Sequence, residues 1–473
     1  MKMHGRLPGD QRVRITRVRP QEYRVAAPKP IRPPPQPAFV LLSGFAAMIA
    51  IGTVLLILPF SSASGSWTSP IDALFTATSA VCVTGLVVLD TGTYWSGFGQ
   101  AVILGLIQAG GFGFMTSSTL LLVLLVGRRT RLRDRVLVQE TMGVTQLGGA
   151  MSLVRRVAGF TLIAELVGAA VLAVGFLADG QAADTSLWWG LFHSISAFNN
   201  AGFDLMGDFQ SMTAFADHYL ILGVLGVLIL VGGLGYAIVG DVTAKRRWTR
   251  LALENKVVLL TTLALLVGGS LAIGALEWNN PATLGALPEG QRPLNAVFES
   301  ITLRTAGFSA IDTGGLLDPT LFVVMALMFI GGASGSTAGG IKVNTFGVLL
   351  IAIVSTVRGR PSAEAFGRRI NHAVVYRALS VALLSIAFVF AVGLALTLTT
   401  GATFVQVIFE AISAFGTVGA STGITPQFDD PARLVLIGAM FAGRLGPLTL
   451  VLALAARSRP TAYRPAVESI RIG

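Results

Sequence analysis

The chain has 473 residues, of which 53% are hydrophobic and only 12% charged, and its mean hydropathy is +0.71. A soluble protein carries about a quarter charged residues, so lipid rather than water is the expected solvent for most of this chain. The net charge of +11 would suit a nucleic-acid binder, but 30 of the 35 Lys and Arg fall in five short segments between or outside the apolar runs, which excludes a basic binding face.

The chain opens with an Arg- and Pro-rich tail, residues 1–37, that includes Pro33, Pro34 and Pro35 and has no signal-peptide core. The first apolar run of membrane-spanning length is Ala38–Phe60. A short segment follows, Pro70 to Ala80, too short to span, and then a long run from Gly97 to Val126 that stops at Arg128 and Arg129. The same order of long helix, short helix, loop and long helix recurs. Its long members are Leu153–Leu177 and Tyr219–Val239, then Val257–Leu276 and Leu321–Leu350, then Val375–Leu398 and Leu434–Ala456. The expected fold is therefore an all-α membrane protein of four pseudo-repeated helix–pore loop–helix units around one pore. It would have eight transmembrane helices and four re-entrant pore helices. The repeats occupy residues 38–128, 150–244, 253–357 and 373–457, and a C-terminal tail fills 458–473.

An even number of spans puts both termini on one side. The five basic segments lie on that side too, and the positive-inside rule makes it the cytoplasm. The opposite face collects acids, among them Asp72, Asp90, Asp204, Glu277, Glu299, Asp312 and Glu410, with Arg292, Arg304 and Arg433 as its basic residues. Such a face would concentrate cations. Cys82 is the single cysteine, so an intrachain disulfide is excluded.

The four short segments share a pattern. They run from Phe75 to Gly85, Phe192 to Gly202, Phe298 to Gly307 and Phe409 to Gly419, and the glycines stand 117, 105 and 112 residues apart. Non-helical backbone at membrane depth is tolerated only where it is buried or lines water. Four equivalent glycines would give a ring of backbone carbonyls able to replace a cation's hydration shell, because glycine accepts backbone angles that a Cβ resists. Each short helix would aim its partly negative C-terminal end at the ion. A second signal is GGASGSTAGG at residues 331–340, five glycines in ten residues, which predicts that the inner helix of the third repeat is broken at membrane depth.

The stretches FTATSAVCVTGL (75–86), AFNNAGFD (197–204), TLRTAGFS (302–309) and GRLGPLTL (443–450) resemble the Trk/Ktr/HKT superfamily of potassium transporters, most closely the KtrB-type membrane subunit. The resemblance implies a K+ filter at Val83, Thr84 and Gly85, at Asn200, Ala201 and Gly202, at Thr305, Ala306 and Gly307, and at Thr417, Val418 and Gly419. Relatives that prefer Na+ can carry Ser at the first filter glycine, and Gly85 favours K+. It also implies an intramembrane gate built from Gly331, Gly332, Gly335, Ser336, Thr337, Gly339 and Gly340, opposed by Arg444. The expected assembly is a homodimer among membrane lipids, in the bacterial inner membrane, on a cytosolic ring of KtrA/TrkA-like nucleotide-binding subunits. The chain itself is expected to hold no cofactor and to bind no nucleic acid. Na+ stimulation stays open.

Other residues carry weaker readings. Lys342 either snorkels to the surface or faces the pore, and Glu165 is an intramembrane carboxylate with no evident partner. Asn199 and Asn200 are placed to brace the filter, His193 is structural, and Cys82 packs. An enzyme would need a His, Asp, Glu or Cys constellation within the spans, and the four histidines are scattered. The alternative is a Na+- or H+-coupled symporter of the same superfamily, TrkH-like, which would need carboxylates within the membrane.

Overall fold

The computed structural model describes residues 37–112 and 150–446, with side chains from Leu42 and from Val154 onward. The N-terminal tail, most of the first basic linker, the ends of the runs expected to reach Val126 and Ala456, and the C-terminal tail lie outside the described residues. In the first repeat, α1 (Pro37–Ile57) is followed by the short α2 (Pro70–Cys82) and by α3 (Gly97–Phe112). The second has α4 (Ala150–Ala178), the short α5 (Ala183–Phe198), α6 (Tyr219–Leu234) and α7 (Tyr236–Lys245). The third has α8 (Leu253–Glu277), the short α9 (Arg292–Thr302), α10 (Asp318–Phe329) and α11 (Val343–Val357). A two-stranded hairpin, β1 (Glu364–Ala365) and β2 (Arg368–Arg369), leads into the fourth: α12 (His372–Thr399), the short α13 (Phe404–Gly416) and α14 (Asp430–Leu445).

By length and apolarity, α4, α8 and α12 can each cross a membrane, and α6 with α7 can do so as a bent pair. Local chemistry sets several helix ends. Proline stands in the first turn of α2, α9, α10 and α14, where its missing N–H has no partner to lose. Asp429 caps α14 through Ala432 N–H, and Thr403 with Gln406 forms a reciprocal cap on α13.

The short helices are central. Their repeat-matched phenylalanines, Phe75, Phe192, Phe298 and Phe409, are all buried to 1% exposure or less. Each packs on the inner helix of the preceding repeat: α3 on α5, α6 on α9, α10 on α13, and α14 back on α2. The last repeat thus closes on the first, and four sequential units become a ring.

Three sequence expectations change. The run Tyr219–Val239, expected as one straight span, is broken at Gly235, where α6 and α7 meet at 94°. Gly235 has φ +78°, and a Cβ there would lie 2.8 Å from Gly335 O, so the inner helix bends where the segment 331–340 packs against it. Glu277, Glu299 and Glu410, assigned to an acidic outer face, are buried to 4% or less and hydrogen-bonded within the protein. Arg304, also expected on that face, is buried beside Thr262 of α8.

Candidate functional site: a four-loop constriction

Each short helix ends in the same three-residue turn. Val83, Asn200, Thr305 and Thr417 all adopt the left-handed conformation, with φ of 56°, 58°, 79° and 50°. Two residues later Gly85, Gly202, Gly307 and Gly419 are left-handed again, with φ of 88°, 69°, 76° and 93°. A β-branched residue with positive φ is a strained outlier, costing of order 1–3 kcal/mol, and here three of four repeats hold one. The middle residue of each turn anchors it by donating its N–H to the last turn of its own helix. Thr84 bonds to Ser79 O (2.8 Å), Ala201 to Ser196 O (2.8 Å), Ala306 to Thr302 O (2.8 Å) and Val418 to Ser413 O (2.9 Å). The third segment is one residue shorter than the others, yet the same turn results.

The four turns touch in cyclic order. A Cβ on Gly85 would lie 2.5 Å from Ala201 O, on Gly202 2.4 Å from Ala306 O, on Gly307 2.1 Å from Val418 O, and on Gly419 2.2 Å from Thr84 O. Each obstacle is backbone, so no side chain can yield. Twelve residues expected to form the filter are therefore brought together as one closed ring. The four glycines line a vestibule of about 510 Å³ together with Asp90, Asp204 and Asp312. Burial raises the Asp204 carboxyl to about 7, with Asp90 adding to the rise against the hydrogen bond from Met206 N–H.

Sequence reading missed the braces of this ring. In the second, third and fourth repeats the residue after the anchoring Phe reaches the N–H three residues beyond the ring glycine. His193 Nε2 accepts from Leu205 (3.2 Å), Glu299 Oε1 from Ala310 (2.8 Å) and Glu410 Oε1 from Thr422 (3.1 Å). His193 Nδ1 faces Trp189 O at 2.7 Å, so it carries the proton and leaves Nε2 as the acceptor. In the first repeat the equivalent residue is Thr76, whose Oγ1 is buried without a hydrogen bond. Aligning the four segments on Phe would have exposed this common offset. Glu410 also accepts from Ser421 and Thr425 at 2.6 and 2.8 Å. Glu410→Ala strands the buried Thr425 hydroxyl, at about 1–3 kcal/mol, together with the half-buried donors of Ser421 and Thr422, and should lower the thermal unfolding midpoint in detergent well below that of Glu410→Gln. Equal midpoints for the two variants would remove the brace.

On the other side of the ring lies the glycine-rich segment 331–340, a loop between α10 and α11, as its composition predicted. Ile330 and Ile341 bridge its neck, and Ala333 N–H bonds to Gly233 O at 2.9 Å. A Cβ on Gly339 would strike Thr417 Oγ1, and one on Gly331 would lie 3.1 Å from Thr305 Cγ2. Thr337 Oγ1 donates to Asn200 Oδ1 at 2.7 Å, while Ser336 Oγ closes the loop on Ala333 O. Gly332 abuts Gly233 O, Gly335 abuts Gly235, and Gly340 abuts Gly416. The loop therefore lies directly against three of the four turns. Arg444, 4% exposed, donates to Thr337 O on the loop and to Gly110 O on α3 at 2.8 Å. Lys342 donates to Ala338 O, so it faces the loop rather than snorkelling.

Glu165 has partners after all. It accepts from Gln108 Nε2 at 3.0 Å and Asn199 Nδ2 at 2.9 Å, behind the second turn. Asn199 and Asn200 do hydrogen-bond behind the ring, to different neighbours. Cys82 is fully buried.

The family model for the cation transport protein TrkH matches residues 38–461. The chain belongs to the TrkH family. A Bacillus subtilis family relative, Ktr system potassium uptake protein B, is 42% identical over 89% of this chain and 93% of its own length. The potassium/sodium uptake protein NtpJ of Enterococcus hirae is 38% identical, covering 94% and 99%. The crystal structure of the potassium transporter TrkH from Vibrio parahaemolyticus superposes with a TM-score of 0.68 at 19% identity, covering 90% of this chain and 86% of that one. The family fold therefore holds across most of the chain.

Proposed function

We propose that this chain is the membrane subunit of a bacterial potassium-uptake system and passes K+ through the four-glycine ring. The observation that carries the proposal is the closed cyclic contact of the four turns, Gly85 to Ala201, Gly202 to Ala306, Gly307 to Val418 and Gly419 to Thr84. Four backbone turns held against one another at the floor of an acid-lined vestibule form the kind of site that can exchange a cation's water shell for carbonyl oxygens. In this reading the chain has eight spans and four re-entrant helices in the inner membrane with both termini cytoplasmic, which the distribution of the basic segments supports. The loop 331–340 acts as the gate, with Arg444 as its latch and electrostatic barrier. In this reading the working unit is a homodimer on a cytosolic nucleotide-binding ring, as the sequence resemblance implies, and relatives named as Ktr system proteins support a partner subunit. The chain is a transporter rather than an enzyme.

The test is Rb+ uptake into liposomes holding the purified protein, with Na+ as competitor, for wild type and Gly85→Ser. A Cβ at Gly85 meets backbone only 2.5 Å away at φ +88°. Strain of 1–3 kcal/mol at the filter should cut the preference for Rb+ over Na+ by about tenfold. If wild type is silent alone, the regulatory ring subunit is added. Continued silence defeats the transport reading, and unchanged selectivity in Gly85→Ser defeats the filter. The coupled-symport alternative draws on Glu165, a carboxylate held beside the second turn. Uptake that requires a Na+ or H+ gradient would favour it.

A further inference from the structure

A second cavity, of about 420 Å³, lies away from the ring, between α8, α11 and the β1–β2 hairpin. Its walls are apolar, formed by Val257 and Leu260 of α8 and by Leu350 and Val354 of α11. Gly347 sits at the close approach of the two helices, where a Cβ would lie 2.5 Å from Val257 Cγ1. Leu260, Leu350 and Val354 are 43%, 41% and 45% exposed, so the cleft opens to the surroundings rather than into the core.

Its mouth has a different chemistry. Arg358 and Arg360 line it, both exposed. Arg360 has a distant partner in Glu364 at 3.7 Å, and Arg358 is in no ion pair among the described residues. The hairpin tip adds Phe366, 48% exposed, whose ring meets Trp248 edge-on at 6.4 Å and carries the Lys256 ammonium 5.6 Å from its centroid. Exposed Arg368 and Arg369 follow on β2. Against these five cations the mouth offers Glu364, with Glu254 on the first turn of α8.

We infer that this cleft binds an anionic phospholipid of the cytoplasmic leaflet, one acyl chain between α8 and α11 and the phosphate on Arg358 and Arg360. Charge complementarity selects the occupant. An apolar slot alone would take any lipid tail, but a cationic rim beside exposed Trp and Phe matches an anionic headgroup at the interface. The site also touches the gate. Val343, the first residue of α11, donates its N–H to Gly332 O at 2.9 Å, and Gly331 N–H bonds to Ile341 O at 2.8 Å. A lipid wedged against α11 therefore holds the arm to which the loop 331–340 is stitched. The binding stands independently of the transport reading, while its effect on flux rests on that reading.

The experiment uses the full chain in nanodiscs of phosphatidylcholine with and without phosphatidylglycerol, scored by lipid retention in native mass spectrometry and by thermal unfolding. Two arginines at the rim should give wild type about a tenfold preference for phosphatidylglycerol. Arg358→Gln with Arg360→Gln should lose most of that preference, and Val354→Trp, which fills the slot, should lower retention of both lipids. No anionic preference in wild type, or its survival in the double variant, overturns the site. So does glycerol phosphate competing as well as the lipid, which would make it a free-phosphate site. A Val354→Cys variant that cross-links copies in every lipid would show that a second chain covers the cleft, and that also overturns it. Rb+ flux in the same discs reconstituted as liposomes should rise with phosphatidylglycerol. Flux absent in all lipids with retention intact would indict the transport reading and leave the lipid site standing.

Discussion

Gly307→Ala should abolish selective uptake while leaving a folded protein. Gly307 has φ +76°, and the added Cβ would lie 2.1 Å from Val418 O and 3.0 Å from Gly419 Cα. An L-residue in the left-handed region costs about 1–2 kcal/mol on its own. The steric term is larger, because both obstacles are backbone of the next turn, and that turn is itself anchored by Val418 N–H on Ser413 O. The only relief is to push the third and fourth turns apart, which opens the ring on one side. Uptake of Rb+ should fall by at least about tenfold, with the residual flux poorly selective against Na+, since 1–3 kcal/mol of displaced strain corresponds to that range. Gly290→Ala, where a Cβ meets nothing within 4 Å, is the control and should behave as wild type. A Gly307→Ala protein with normal selectivity would mean the ring is not the filter.

Arg444→Ala should do the opposite and raise flux. The guanidinium ties the loop 331–340, through Thr337 O, to α3, through Gly110 O, and it lies buried against that loop. Hydrogen bonds from a charged donor are each worth about 1.5–3 kcal/mol, so losing two loosens the loop markedly. The same change removes a positive charge that repels a cation in a low-dielectric passage. Both effects favour conduction, and initial Rb+ uptake should rise several-fold, with Arg444→Lys intermediate because an ammonium keeps the charge but lacks the planar fork that serves both carbonyls at once. A drop in uptake with a lowered unfolding midpoint would make Arg444 a structural pin and end the barrier reading.

What sequence alone could reach here was local. The four repeats follow from run length and from the distance between Phe and Gly. The ring glycines follow from backbone angles that only glycine takes readily, and the break after Phe329 follows from five glycines in ten residues. Each of these is a property of a segment and its own solvent, so it survives without knowing the neighbours. The break at Gly235 had a local signal too, in Gly232, Gly233 and Gly235, but apolar residues continue on both sides and hydropathy does not register a bend. The burial of Glu277, Glu299, Glu410 and Arg304 was illegible for a related reason. The positive-inside pattern sorts charges by membrane face and says nothing about burial, which depends on whether another segment supplies hydrogen bonds.

The tertiary structure decided the rest, because the deciding contacts join residues far apart in the chain. The ring closes only because α14 packs on α2, so that Gly419 meets Thr84. Glu165 gains Gln108 and Asn199 from other helices, and Arg444 gains its carbonyls from two other repeats. Sequence by itself determined a fourfold set of glycine turns in a membrane chain. Only the packing of the four repeats on one another determined that these turns form one ring, what braces it and what lies beneath it. A turn's conformation is set within a few residues, whereas a pore exists only between segments that the fold brings together.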